Sequence, residues 1–366
     1  MNINAILQTT KLLTQEYGIP AWGLTIYQDQ KEVCQYVCGY RDYAKQEPAT
    51  PEDLCWLFSL TKIATCTAAM QLIERGKLGL FDNVSDYLPA FKNQQVLDHG
   101  VLRPAASEMK VIDLMTMRGG LDYNLDGLCG DKGSSATNSD IFEQIAKRPL
   151  NFDPGTCYQY SLCHDVLAGV IAAAAGIPYA KWLEQEVFAP LGMTQTRFAT
   201  SKDELKPFSD QYIYENEIIV PYDVPNCYVM TPQYCSGGAG LASSLSDYVL
   251  LINALANLGV GANGQRILSE PSILDMATNR LNDEQLKDFS AWRFGYGYGL
   301  GVRTRLDNED NPNQICEFGW DGAAGSYAIC DLTNRIGVLY TQHVRNCGPA
   351  YDVIHIAIRD AVLAAL

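Results

Sequence analysis

The sequence predicts an α/β protein of the α+β type: one antiparallel sheet flanked by the terminal helices, with a mostly helical lobe inserted into it. Three observations carry that expectation. Runs rich in β-branched and aromatic residues lie near the amino terminus, similar runs return after residue 295, and apolar residues recur at helical spacing between them. Strands at both ends imply a sheet closed by the two termini. The chain reads as a single two-lobed domain spanning residues 1–366, with a sheet lobe at about 1–58 and 290–366 and a helical lobe at about 59–289. No internal repeat or linker divides it.

Residues 2–17 read as an amphipathic helix, with Ile3, Ile6, Leu7, Leu12 and Leu13 on one side, stopped by Gly18 and Pro20. Two strands follow, Ala21–Tyr27 and Val33–Tyr40, joined by the polar turn Gln28-Asp29-Gln30-Lys31. Helical spacing then predicts helices over 59–75, 107–117, 139–147, 161–175, 179–189 and 245–258, with a long turn-rich stretch at 124–139. Strands are expected again at Tyr296–Val302, Gln314–Phe318, Gly325–Asp331 and Ile336–His343, before a final apolar helix at Tyr351–Leu366.

Composition excludes several classes of function. With 47% hydrophobic and 19% charged residues over 366 positions, the chain has the make-up of an ordinary soluble globular protein. A formal net charge of −15 with scattered basic residues offers no footprint for nucleic acid or an anionic membrane. The amino terminus has no basic stretch followed by an apolar core, and no apolar run is long enough to span a bilayer, so a cytoplasmic location is expected. The twelve cysteines are dispersed without a Cys-x-x-Cys pair, and are expected to be reduced, buried residues. The four histidines, His99, His164, His343 and His355, form no metal-binding pattern, so neither metal nor cofactor is expected.

The chemistry centres on Cys55 to Gly76, an apolar segment with a serine near the start of its helix. Residues three apart share a helix face, so Ser59 and Lys62 place a hydroxyl beside an amine in surroundings that lower the amine's proton affinity. That pairing supplies a nucleophile and its base. A second Ser-x-x-Lys, at Ser107 and Lys110, reads as structural, with Ser107 capping the next helix. Two further stretches complete the pattern: Asp153-Pro154-Gly155-Thr156 leading to Tyr160-Ser161-Leu162, and Gly319-Trp320-Asp321-Gly322-Ala323 just before a strand. There is no Gly-x-Ser-x-Gly elbow, and Cys163 and His164 are neighbours that leave a helix in different directions.

In this order the motifs resemble the serine β-lactamase and penicillin-recognising superfamily, specifically its class C-like branch, which includes carboxylesterases. The resemblance covers nearly the whole chain and also takes in Leu114 to Leu121, Gly237 to Leu241 and Gly295 to Gly299. It implies a β-lactamase/DD-peptidase-like fold in which Ser59 attacks a carbonyl and Lys62 takes or relays its proton. Tyr160 would share that work and protonate the leaving group. The backbone N–H groups of Ser59 and Ala323 would form the oxyanion hole, and Trp320, Asp321, Gly322 and Leu162 would line the substrate site.

Two departures from the family pattern bear on the substrate. Leu162 stands where an asparagine usually binds an amide, and Trp320-Asp321 stands where a cation and threonine hold a carboxylate. The Trp-x-Gly form resembles the esterase members, so the expected activity is hydrolysis of a small-molecule ester through an acyl-Ser59 intermediate. An amidase, peptidase or weak β-lactamase of the same superfamily is the alternative, and a non-catalytic binding protein on this fold is the alternative of another class. Asp321 is expected either beside the pocket, favouring cationic substrates, or merely capping a turn. Oligomeric state is not legible.

Overall fold

The computed structural model describes residues 1–199, 201–290, 295–306 and 317–366. Helix α1 (Ile3–Glu16) leads into the hairpin of β1 (Ala21–Gln28) and β2 (Lys31–Asp42), which the short β3 (Glu47–Pro48) extends. Asp29 and Gln30 carry φ of +47° and +69°, the left-handed pair that a two-residue hairpin turn needs. Helix α2 (Thr61–Glu74) begins the helical part, where α3 (Cys163–Ala175) and α4 (Leu245–Ala256) are the longest later members. The chain ends with β4 (Tyr296–Tyr298), β5 (Arg303–Arg305), β6 (Glu317–Asp321), β7 (Tyr327–Asp331), β8 (Ile336–Gln342) and α5 (His355–Ala364).

These eight strands form one antiparallel sheet in the order β4-β5-β6-β7-β8-β1-β2-β3. Strands from the two ends meet where β1 pairs with β8, Leu24 opposite Tyr340. Side chains alternate between the faces. Leu24, Ile26, Val338 and Tyr340 pack with Ile6, Ile354 and Ile358 of the terminal helices. Phe318, Trp320, Ala328 and Leu339 face the other way, into the larger core shared with α2, α3 and α4.

The expected mixed architecture is present, and its differences from the sequence reading have local causes. Tyr296–Val302 is not one strand: Gly301, at φ +80°, turns the chain so that β4 pairs back onto β5. A side chain at Gly301 would meet Cys66 Sγ at 2.2 Å, so the turn is held against α2. The expected strand from Gln314 begins outside the described residues, and its described part starts at Glu317. Leu12 lies outside the packed side of α1 and is 60% exposed.

The middle of the chain also holds short strands that helical periodicity does not show. Leu241–Ser243 pairs with Cys55–Trp56 and Arg197–Phe198, and two hairpins lie at 95–104 and 212–221. Ser107 does not cap a helix. The helix there begins at Val111, Asp113 accepts a hydrogen bond from the Lys110 N–H at 2.9 Å, and Ser107 Oγ donates to the Pro154 carbonyl at 3.0 Å.

All the cysteines in the described residues are free thiols. No single helix among the described residues is long and apolar enough to cross a membrane.

Candidate active site

Helix α2 is buried on every side, from Thr61 through Leu72, so its polar groups need partners inside the protein. Thr61 Oγ1 accepts from the Leu241 N–H, and Thr65 Oγ1 donates to the Gly237 carbonyl. Gln71 Nε2 donates to the Glu186 and Ile267 carbonyls. The helix is thereby fixed in rotation, which decides where Lys62 points.

Ser59 sits one turn earlier, in the 3-10 turn Phe58–Leu60 that feeds α2. Phe58 takes φ of +47°, a left-handed conformation that is costly for a bulky side chain. Its ring is fully buried among Trp56, Leu54 and Ala324, which hold the residue in place. The strained residue is thus adjacent to Ser59, whose place in the turn it fixes.

Ser59 Oγ lies 3.2 Å from Lys62 Nζ and receives the Tyr160 hydroxyl at 2.8 Å. Lys62 Nζ also donates to the Gly238 carbonyl at 2.7 Å and reaches the Tyr123 hydroxyl at 3.3 Å. Burial pulls Lys62 down from its ordinary value to about 7, against the raising effect of Asp165. Near neutrality the amine therefore exists in both forms. In its neutral form it has two N–H bonds for Gly238 and Tyr123 and a lone pair for the serine proton.

Tyr160 is placed differently. Its ring stacks between Tyr123, at 5.4 Å, and Trp320, at 5.7 Å. Burial raises its phenol well above the ordinary tyrosine value, opposed by the hydrogen bonds to Ser59 and from Trp320. Tyr160 is therefore a proton donor at rest, and Lys62 is the group able to accept. Trp320 is buried, and its indole N–H donates to the Tyr160 oxygen at 3.2 Å. Such a donor stabilises the oxygen whenever negative charge develops there.

Gly322 brings the turn after β6 against the nucleophile's own turn. A β-carbon there would lie 2.3 Å from the Leu57 carbonyl oxygen, so no other residue fits without displacement. Ala323 follows in the same apolar cluster as Phe58. The two backbone segments expected to supply the oxyanion donors are thus neighbours.

Two predicted substrate residues are placed elsewhere. Leu162 is 1% exposed, in the core of the helical part, and its N–H donates to the Asp122 carbonyl at 3.0 Å. Asp321 lies on the opposite face of β6 from Trp320, buried and 3.0 Å from Arg303 Nη1. Its charge is matched by a guanidinium that is only 2% exposed, so it neither faces the pocket as an anion nor simply caps a turn. The sequence reading also passed over Tyr123, Asp165 and Arg303. Tyr123 is one of 21 tyrosines and has no local signature, although it is the second residue after Gly119-Gly120-Leu121. Cys163 and His164 are buried; burial lifts the Cys163 thiol to about 11, and His164 Nε2 lies 3.3 Å from Cys66 Sγ.

With this geometry the chain can be set beside known proteins. The model of the Beta-lactamase family matches residues 6–362. Esterase EstB of Burkholderia gladioli is 28% identical over 357 residues, covering 89% of this chain and 86% of its own. An N-acetylmuramyl-L-alanine amidase of Bacillus subtilis is 28% identical over 272 residues, covering 66% of this chain and 60% of its own. The solved structure of EstCE1, described as a hydrolase with promiscuous acyltransferase activity, superposes with a TM-score of 0.81 at 24% identity, covering 98% of both chains. A match over residues 6–362, which takes in Ser59, Lys62, Tyr160 and Trp320, places this chain in the Beta-lactamase family, a superfamily of serine hydrolases.

Proposed function

We propose that the protein is a carboxylesterase acting on small-molecule esters through an acyl-Ser59 intermediate. One observation carries the reading: a single serine oxygen lies 3.2 Å from a lysine brought down to about 7 and 2.8 Å from a tyrosine that remains protonated. The neutral Lys62 amine takes the Ser59 proton as Oγ bonds to the ester carbonyl carbon. The carbonyl oxygen gains the negative charge, facing the N–H groups of Ser59 and Ala323. The carbon–oxygen bond to the alcohol then breaks, and Tyr160 gives its proton to the departing alkoxide. Lys62 returns a proton to Tyr160, and water repeats the sequence on the acyl-enzyme, releasing the acid.

Substrate class follows from what the site lacks. A buried leucine at position 162 offers no partner for an amide, and Asp321, next to Trp320 in the chain, is already matched by Arg303. No side chain among those described at Trp320-Asp321-Gly322 offers a cation to a carboxylate. The similarity to EstB agrees with an ester, while the similarity to the amidase keeps amide hydrolysis as the second reading. Purified protein tested on p-nitrophenyl esters, anilides and nitrocefin separates the two. Ester turnover that disappears in Ser59→Ala supports the esterase, and faster turnover of the anilide or of nitrocefin overturns it.

A further inference from the structure

Lys62 is surrounded by groups that titrate. Cys66 lies on its own helix, Cys163, His164 and Asp165 come from α3, and Tyr123 and Tyr160 cover it from the loops. Tyr234 stands behind Asp165. Burial keeps the Cys66 and Cys163 thiols protonated, holds His164 neutral, and raises the phenols of Tyr123, Tyr160 and Tyr234. Among the described residues around Lys62, Asp165 is left as the source of negative charge.

Asp165 is 1% exposed. Its Oδ1 accepts two hydroxyl hydrogen bonds, from Tyr234 at 2.6 Å and Ser236 at 2.5 Å, the kind of donors an ionised carboxylate accepts. Its Oδ2 is buried without a donor among the described residues. A carboxylate oxygen left in that state is costly unless a nearby positive charge compensates it.

Gly238 shows where that charge is. A β-carbon at Gly238 would lie 2.6 Å from Asp165 Oδ2 and 3.4 Å from Lys62 Nζ, so both charged atoms border the space that one carbon would fill. The Gly238 carbonyl meanwhile takes a Lys62 hydrogen bond, and Ser236 Oγ accepts from the Ala239 N–H. One short turn therefore grips the carboxylate, the amine and the gap between them. Lys62 and Asp165 form no direct ion pair, and that separation matters chemically. Full contact would hold the lysine as an ammonium unable to take a proton, and full isolation would leave an amine too weak a base.

We propose that Asp165 is a positioning residue for the hydrolytic reaction: its buried charge, bordering with Lys62 the space that the missing side chain of Gly238 leaves open, sets when Lys62 gains and gives up its proton. The inference rests on the serine-hydrolase reading above for its consequence, and on the geometry alone for the coupling.

The test reads the proton. Asp165→Asn should move the acid limb of kcat/KM on a p-nitrophenyl ester to lower pH by about one to two units, because the amine loses the charge that favours its ammonium form. Asp165→Glu should restore most of the shift. A folded Asp165→Asn protein whose acid limb coincides with that of the unmodified protein overturns the proposal while leaving the esterase intact. A measurement without substitution covers the case of a variant that does not fold. In 13C NMR of the unmodified protein, the Asp165 Cγ signal should show a step at the pH where Lys62 Cε titrates. An Asp165 signal flat through that pH overturns the proposal, whether or not Ser59 reacts with an ester.

Discussion

The chain contains the same four-residue pattern twice, at Ser59-Leu60-Thr61-Lys62 and at Ser107-Glu108-Met109-Lys110. In the first, hydroxyl and amine are buried and 3.2 Å apart. In the second, both residues are exposed, Ser107 donates to the Pro154 carbonyl and Lys110 stands just before a short helix. Spacing alone is therefore no chemistry. Lys62 loses its ordinary proton affinity to burial, whereas the Lys110 side chain is exposed to water. Burial in turn is tolerated because Ser59, Tyr123 and the Gly238 carbonyl all lie within hydrogen-bonding reach of the amine.

The largest test of this contrast removes the nucleophile. Ser59→Ala should lower kcat on a p-nitrophenyl ester by about a thousandfold or more, since it removes the aliphatic hydroxyl that lies 3.2 Å from Lys62 Nζ and 2.8 Å from the Tyr160 hydroxyl. A fluorophosphonate should label the unmodified protein at Ser59 and leave Ser107 unlabelled, read by peptide mass spectrometry. Next come the proton carriers. Lys62→Met and Tyr160→Phe should each cost about a hundred- to ten-thousandfold in kcat, the usual range for a general base or acid.

The pH dependence has a definite sign. Lys62 acts as a base only when neutral, so kcat/KM should rise through about pH 7 and level off above it. An acid limb centred near the ordinary lysine value would show that burial does not govern the amine. Trp320→Phe keeps the stacked ring and removes the N–H on the Tyr160 oxygen. It should lower kcat by about three- to tenfold, as expected for one neutral hydrogen bond to a developing charge, and leave KM nearly unchanged.

The contact between Ser59 and Lys62 was legible because it obeys a local rule: three residues apart on a helix is a contact. The terminal hairpin and the meander were legible for a similar reason, alternation along a strand. What escaped depends on the opposite kind of information. Asp165 meets Lys62 through Gly238, which lies 176 residues after the lysine along the chain. Asp321 differs from Trp320 by one position, yet one residue faces the catalytic cluster and the other faces Arg303. The strand's alternation was available in the sequence, but not which face met the helices, so an aspartate paired inside the sheet could be read as a pocket residue. Leu162 was likewise recognised by its alignment with a family position, and its burial in the helical core follows only from packing.

The smallest expected effect completes the comparison between the two serines. Ser107→Ala combined with Lys110→Ala should leave kcat/KM within about twofold, because each side chain is solvated and the pair touches neither Ser59 nor Tyr160. The one bond at stake ties Ser107 to Pro154, in the turn that leads to Tyr160. That turn has other anchors: Asp153 accepts from Arg103 at 2.8 Å and from the Ala106 N–H at 2.7 Å, and Gln285 Nε2 donates to the Gly155 carbonyl at 2.8 Å. Losing this single part-buried hydrogen bond should therefore cost about 1 kcal/mol in stability, a fall of a few degrees at most in thermal melting. If activity instead fell more than tenfold, with the melting temperature little changed, the turn's position would have to be transmitted to Tyr160 through Ser107, and the second pattern would belong to the site after all.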